Sequence, residues 1–333
     1  MNESLKEMMY HIYGASRTHL LYCAVKMEII DHLADKAMDA KQLSVLTNTK
    51  EDLLYRFLRS LRSMRVLEQN DQIFSVTELG STLKSNSKHS LKHYLLAMAH
   101  ETLEQPLLYL DHSLRTGETA FNHVYGKPIW EYVRTNAADA GTLFDKAMKD
   151  LSSLFLKELT YDYSNFNRII DVGGGNGHYL ISVLQQNPNS TGIVFDVEGA
   201  IENAKAEIEK SDVKKRCSTK AGDFFESVPE GGDCYILRHI VHLFDDQRAI
   251  KLLSNIRNVM KADSKLIILE QAIFDCFGAD QKTVVDMIIF ASSGGKTRTK
   301  DELEELGAKV SLKMQMCGEL KDCGEIIVEF VPV

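Results

Sequence analysis

No C-x-x-C pair occurs in this chain. Its 6 cysteines stand apart, at Cys23, Cys217, Cys234, Cys276, Cys317 and Cys323, so the spacing of a structural zinc site is missing. A basic surplus is missing too. The formal net charge is -8, which argues against sequence-independent nucleic-acid binding, because that rests on basic surface. No apolar run is long enough to span a bilayer, and the N-terminus lacks the basic, apolar and small-residue pattern of an export signal. There is neither a low-complexity tract nor a fixed-period repeat. These absences point to a reduced, cytoplasmic protein with no nucleic-acid or membrane partner. What is present is ordinary for a soluble globular chain. Its 333 residues are 44% hydrophobic and 26% charged, enough for one large domain and a smaller one.

The chain is organised around Ile169-Ile170-Asp171-Val172-Gly173-Gly174-Gly175-Asn176-Gly177. An apolar run enters a glycine-rich turn, and Tyr179-Leu180-Ile181-Ser182-Val183-Leu184 resumes with helical spacing. Strand, glycine turn and helix together let backbone N–H groups approach a bound nucleotide closely. A dinucleotide fingerprint asks for G-x-G-x-x-G, but His178 stands where its third glycine belongs. The Gly-Lys-Ser/Thr ending of a Walker loop is absent as well. The run Gly173, Gly175, Gly177, led by Asp171, instead resembles motif I of S-adenosylmethionine-dependent methyltransferases. That cofactor has no phosphate to cradle, and its ammonium and sulfonium favour nearby carboxylates. The competing reading is a glycine turn with no ligand.

The first third reads as helical. His19 to Ala34 places Leu20, Leu21, Ala24, Val25, Ile29, Ile30 and Leu33 on one helical face. Asp39 is placed to cap a short helix through Leu43 and Leu46, and Thr49 with Asp52 has the spacing of a capping box opening a helix from Leu53 to Met64. Val66 to Gln69, Asn70-Asp71, and Gln72 to Val76 then read as a tight hairpin. Helix, helix, helix, hairpin is a winged-helix pattern. Arg56, Arg59, Arg62 and Arg65 recur along its longer helix, as a recognition helix would require. A solvated basic face is the favoured reading, because Glu51, Asp52, Glu68 and Asp71 surround the row. Helical spacing continues from Leu91 to Leu159, with breaks at Pro106, Gly117 and Gly126-Lys127-Pro128. Phe121, Trp130, Phe144 and Met148 in this region are core by default.

After the glycine turn, strands and helices alternate. Thr191 to Asp196, a strand ending near Asp223, Asp233 to Arg238, Lys265 to Glu270 and Ile326 to Phe330 read as strands. Ala200 to Lys210, Asp246 to Met260 and Lys300 to Leu306 read as helices. The alternation predicts an α/β fold with a mainly parallel, doubly wound sheet. Ligands of such sheets bind outside the carboxyl ends of the strands, where Asp171, Asp196, Asp223 and Glu270 fall.

These segments, with Phe121-Asn122-His123-Val124-Tyr125-Gly126, Phe144-Asp145-Lys146-Ala147-Met148, Gly222-Asp223-Phe224-Phe225 and Gly294-Gly295-Lys296-Thr297-Arg298-Thr299, resemble the plant-type small-molecule O-methyltransferase family and its bacterial relatives. The resemblance covers nearly the whole chain. It implies a class I methyltransferase Rossmann-like domain over residues 161–333 and an α-helical winged-helix dimerisation and lid domain over 1–160. It implies a homodimer, S-adenosyl-L-methionine as cosubstrate, a small-molecule hydroxyl acceptor of aromatic or polyketide type, and no metal. By the same resemblance Asp171, Gly173 and Gly175 form the cofactor loop. Gly173 holds the methionine end, Asp196 accepts from the ribose hydroxyls, Asp223 from the adenine amino group, and Phe224 packs on the ring. Arg238 takes the place of a family lysine. His242 matches the general base and Glu270 the carboxylate that orients it. Phe144 and Met148, then Met98, Ile289 and Phe290, are the implied acceptor contacts.

Imidazole suits the task, since methyl transfer to a phenol needs positioning and removal of one proton. His239 is the rival base, and strand alternation does not separate the two. Two departures from the family stand out. Leu243-Phe244 replaces Asp-Trp, and Thr297 replaces a second glutamate. They keep open a cofactor-binding relative with diverted or lost methyl transfer. The arginine row keeps open a winged-helix, ligand-sensing regulator.

Overall fold

The computed structural model describes residues 2–87, 89–155, 161–273, 282–320 and 325–333. Cys276, Cys323 and the end of the helical region at 156–159 lie outside the described residues. The chain forms two compact units, Met1–Gln105 with Val133–Leu154, and Pro106–Tyr132 with Phe155–Val333. This differs from one cut near residue 160, because Pro106–Tyr132 packs with the second unit. There the helix Ala120–Tyr125 lies on the helix Lys282–Ser293.

The first unit contains the expected three helices and hairpin. Helices Ile29–Asp35, Ala40–Leu46 and Glu51–Ser63 precede strands β1 (Leu67–Asn70) and β2 (Ile73–Val76). Ile29, Ile30, Leu33, Leu43, Leu54, Leu58, Leu61 and Phe74 are buried together. Asp39 caps its helix through a full capping box with Gln42. Three local expectations fail. The helix read from His19 to Ala34 is broken after Lys26, where Glu28 adopts the left-handed conformation at φ 56°. Thr49 and Asp52 make no capping box, because the cap is Lys50 and the Thr49 hydroxyl pairs with Thr47 at 3.0 Å. The hairpin turns one residue later than read, with Asn70 opposite Ile73. Arg56, Arg59, Arg62 and Arg65 are all exposed.

The second unit is built on a seven-stranded sheet of order β5-β4-β3-β6-β7-β9-β8. Its strands are β3 (Arg168–Val172), β4 (Thr191–Asp196), β5 (Cys217–Ala221), β6 (Cys234–Arg238), β7 (Lys265–Gln271), β8 (Leu312–Leu320) and β9 (Glu325–Pro332). β3 to β7 run parallel, and β8 and β9 complete the sheet antiparallel. Helices cover both faces, which explains the near-continuous apolar strands. Successive residues feed opposite layers. Ile170, Val172, Tyr235, Leu237, Leu266 and Ile268 join the helices Asp246–Val259 and Lys300–Ala308. Ile169, Ile236, Ile267 and Leu269 join the helices His178–Gln186 and Glu198–Lys210. β8 escaped the sequence reading because its polar Lys313, Gln315 and Glu319 face outward on an edge strand bent by an irregularity between Met314 and Met316. No helix among the described residues is long and apolar enough to cross a membrane.

Leu180 is fully buried in the layer that carries the helix following the glycine turn. Leu180→Ala is expected to cost about 2–5 kcal/mol of unfolding free energy, read from urea denaturation of the second unit. A loss below about 1 kcal/mol would mean the layer collapses around the gap.

Candidate active site

Parallel register brings the strand ends to one edge. Asp171 pairs across from Val194 and Ile236, Asp196 from Ala221, and Arg238 from Leu269. Asp171, Asp196, Arg238 and Glu270 therefore share the carboxyl edge, and Asp223 follows β5 closely.

The glycine turn is a backbone structure. Gly173, Gly175 and Gly177 all have φ between 55° and 76°, which glycine adopts without steric cost. A Cβ on Gly173 would meet Ile240 at 2.6 Å and stand 3.6 Å from Phe224, so these two side chains wall the turn. The Gly175 N–H donates to Asp196 Oδ2 at 2.9 Å and the Val197 N–H to Oδ1 at 2.7 Å. Burial pushes the Asp196 carboxyl up, and those two donors oppose it. The Gly222 N–H donates to the Asp196 carbonyl at 3.0 Å, joining the two acid-bearing segments. Asp223 itself is exposed and accepts from the Phe225 N–H at 2.8 Å within its own turn.

Asp171 is buried, and its Oδ2 has no hydrogen-bond partner among the described residues. Burial pushes its carboxyl up to about 7, against the pull of the Arg238 cation and with some help from Asp196. The Arg238 guanidinium stands 5.0 Å over the ring of Tyr179.

His242 lies in a short turn, Val241–Leu243, just beyond β6. Its Nδ1 is hydrogen-bonded to Glu270 Oε2. A carboxylate only accepts, so Nδ1 donates and Nε2 keeps the lone pair. Glu270 Oε1 accepts from the backbone N–H groups of Val241 at 2.8 Å and His242 at 3.2 Å. Burial opposes ionisation of Glu270, but the His242 ring, its hydrogen bond, the His239 ring and the backbone donor hold the carboxyl below its ordinary value. His239, the rival base, pairs through Nε2 with Glu325 at 2.9 Å.

The residue the sequence reading left without a role is Arg298, which is 2% exposed. Its guanidinium donates to the carbonyls of Val241 at 3.0 Å and Phe244 at 3.0 Å, and to Asp246 Oδ1 at 2.8 Å. The Lys296 N–H donates to the His242 carbonyl at 2.9 Å, and a Cβ on Gly295 would collide with that carbonyl. The segment Gly294 to Thr299 thus clamps the turn that carries His242. Its signal was a charged residue inside a glycine-rich motif. Thr297, in the place of the family glutamate, donates its N–H to Asp286 at 2.6 Å, and its hydroxyl is buried with no partner among the described residues.

Ile289 lies against Gly295 beside this turn, and Phe290 follows on the same helix. Met98, Phe144 and Met148 are half-buried on helices of the first unit.

A glycine turn after the first parallel strand, acids at the ends of its neighbours and this sheet order define a class I methyltransferase. The O-methyltransferase domain family matches residues 107–311, and the O-methyltransferase dimerisation domain family matches residues 9–86. The chain belongs to this family of S-adenosylmethionine-dependent O-methyltransferases. Phenazine O-methyltransferase PhzM of Lysobacter antibioticus is 32% identical over 89% of this chain and 87% of its own length. The crystal structure of LaPhzM matches with a TM-score of 0.92 at 30% identity, covering 100% of both chains. Aclacinomycin 10-hydroxylase RdmB of Streptomyces purpurascens is 28% identical over 88% of this chain and 80% of its own length.

Asp171 carries a pH prediction. Below its ordinary value of 3.8 the carboxyl is protonated folded or unfolded. Between there and about 7 only the folded state keeps the proton, so stability falls as pH rises through that window. Asp171→Asn is expected to flatten this decline and to be the more stable protein above it, measured by urea midpoints on the donor-free protein. An unchanged slope would place the titration on another group.

Proposed function

We propose that this enzyme methylates a phenolic hydroxyl of an aromatic or polyketide-like small molecule, with His242 as general base and Glu270 as its orienting carboxylate. The observation that carries the reading is the His242–Glu270 pair. Its carboxylate is buried, ionised and held by two backbone donors, so the imidazole is fixed in the tautomer that leaves Nε2 basic. Bound S-adenosylmethionine supplies a methyl group activated by its sulfonium.

The residues present fit that group. Asp171 offers a buried carboxylate oxygen with no protein partner among the described residues, suited to an ammonium. Gly173 presents only backbone to the turn, where a Cβ would meet Ile240 at 2.6 Å. Asp196 has two oxygens at a strand end, where paired hydroxyls can displace or share its backbone donors. In this reading Gly175 keeps the loop's N–H groups inward, Phe224 packs on the adenine and Asp223 accepts from its amino group. Arg238 balances Asp171. The chain's own chemical task is to hold the acceptor oxygen in line with the methyl and take its proton at His242 Nε2. The likeness to a phenazine O-methyltransferase supports an aromatic acceptor. Ile289 and Phe290 are its proposed contacts beside the base. The four described cysteines stand free, which fits a cytoplasmic enzyme.

Methyl transfer measured over a panel of phenols tests this. His242→Ala is expected to lower kcat by about 10²–10⁴-fold while S-adenosylhomocysteine affinity is kept. Unchanged turnover in that variant would remove His242 from the mechanism. Thr297 and the likeness to a hydroxylase favour one second reading, cofactor binding with diverted chemistry. Donor binding by calorimetry with no methylated product across the panel would favour it.

We further infer a homodimer, supported by the dimerisation-domain match. The helix Glu3–Ile12 buries none of its residues and exposes Leu5, Met8, Met9 and Ile12 at helical spacing. Sedimentation velocity is expected to give twice 37.6 kDa for the wild type, and Leu5→Glu with Ile12→Glu to shift it toward the monomer. A wild-type monomer would overturn the inference.

A further inference from the structure

Two imidazoles, each tied to a buried carboxylate, stand side by side beyond β6. His242 Nδ1 is held by Glu270, and His239 Nε2 lies 2.9 Å from Glu325 Oε1. Both glutamates are almost fully buried, at 2% and 1% exposure. The two rings have centroids 5.6 Å apart and are tilted by 53°. Ligand-capable atoms of His239, His242 and Glu270 all lie within 4.8 Å of one another. His239 also holds a left-handed backbone, φ 54°, a conformation that carries a steric cost for a residue with a Cβ. Such conformations persist where surrounding contacts over-determine them, often at ligand sites.

Metal-binding histidines nearly always give their other ring nitrogen to a carboxylate or carbonyl, which fixes the ring and raises its basicity. Here both rings already have that partner.

We propose that His239 and His242, with Glu270 beside them, form a binding site for a transition-metal dication of the Zn²⁺ class, and that the bound ion inhibits methyl transfer. The ion would take the imidazole lone pair that the base needs, so the inhibitory half rests on the role given above to His242. Zn–N bonds of about 2.0–2.1 Å put tetrahedral neighbours about 3.3 Å apart. Imidazole ligands select zinc, cobalt, nickel or copper over magnesium and calcium, which prefer oxygen.

Co²⁺ titration of the purified full chain, read by visible absorption, tests the site without any turnover. One Co²⁺ per chain, displaced by Zn²⁺, is expected. His239→Asn and His242→Asn should each weaken it at least about tenfold, and Glu325→Gln by about 10–100-fold, with donor affinity confirming that each variant folds. Affinity unchanged in both histidine variants would overturn the proposal. So would loss of Co²⁺ on His112→Ala alone, which would assign the ion to the other close group, His112, Glu118 and His123. For the inhibitory half, Zn²⁺ should lower the methyl-transfer rate of wild type, and His239→Asn should need at least about tenfold more Zn²⁺ relative to its own metal-free rate. Zn²⁺ bound without inhibition would sink that half. Co²⁺ binding in a protein that methylates no phenol would sink the reading of His242 as base and leave the metal site standing.

Discussion

A carboxylate buried at the end of an apolar strand is costly unless some other group answers its charge. This protein places three at one sheet edge, Asp171, Glu270 and Glu325, each at most 2% exposed. They are answered differently. Glu270 and Glu325 each have an imidazole, and both stay ionised. Asp171 has only the Arg238 cation against its burial, and its proton is held up to about 7. The first two are complete within the protein, whereas Asp171 keeps an unanswered oxygen. An ammonium-bearing ligand is the chemical complement of that oxygen.

The scaffold spends its rigid parts on position. Parallel register lines up the acids, because each strand of β3 to β7 ends at the same edge. The histidine sits on a short turn that would be mobile alone. It is held from one side by Glu270, which accepts from two of its backbone N–H groups, and from the other by Arg298, which donates to two of its carbonyls. Buried, charge-assisted bonds of this kind fix geometry more than they add stability.

The departures from the family are local. Phe244, where the family has tryptophan, packs edge-on to Phe224 and Phe225, so an aromatic cluster survives the exchange. Thr297 is a sharper change. Its position is buried, its backbone is tied to Asp286, and its hydroxyl has no partner among the described residues. A carboxylate there would be a further buried charge near His242. Its absence leaves Glu270 to orient the imidazole.

Much was legible in the chain because its signals are local. The Gly173–Gly177 turn announces itself through residues with no Cβ, and Asp39 through the capping box it completes with Gln42. The alternation of apolar strands and helices required a doubly wound sheet, since such strands must be covered on both faces. The family motifs named His242 and Glu270; strand alternation did not separate His242 from His239, and in the fold each of the two finds a carboxylate, from a different strand. The role of Arg298 and the pairing of β8 depend on contacts more than fifty residues or a strand apart. Sequence spacing governs what a segment can become on its own. Burial, and the partner each buried charge meets, arises only when distant segments close around it, and that was decided by the tertiary structure.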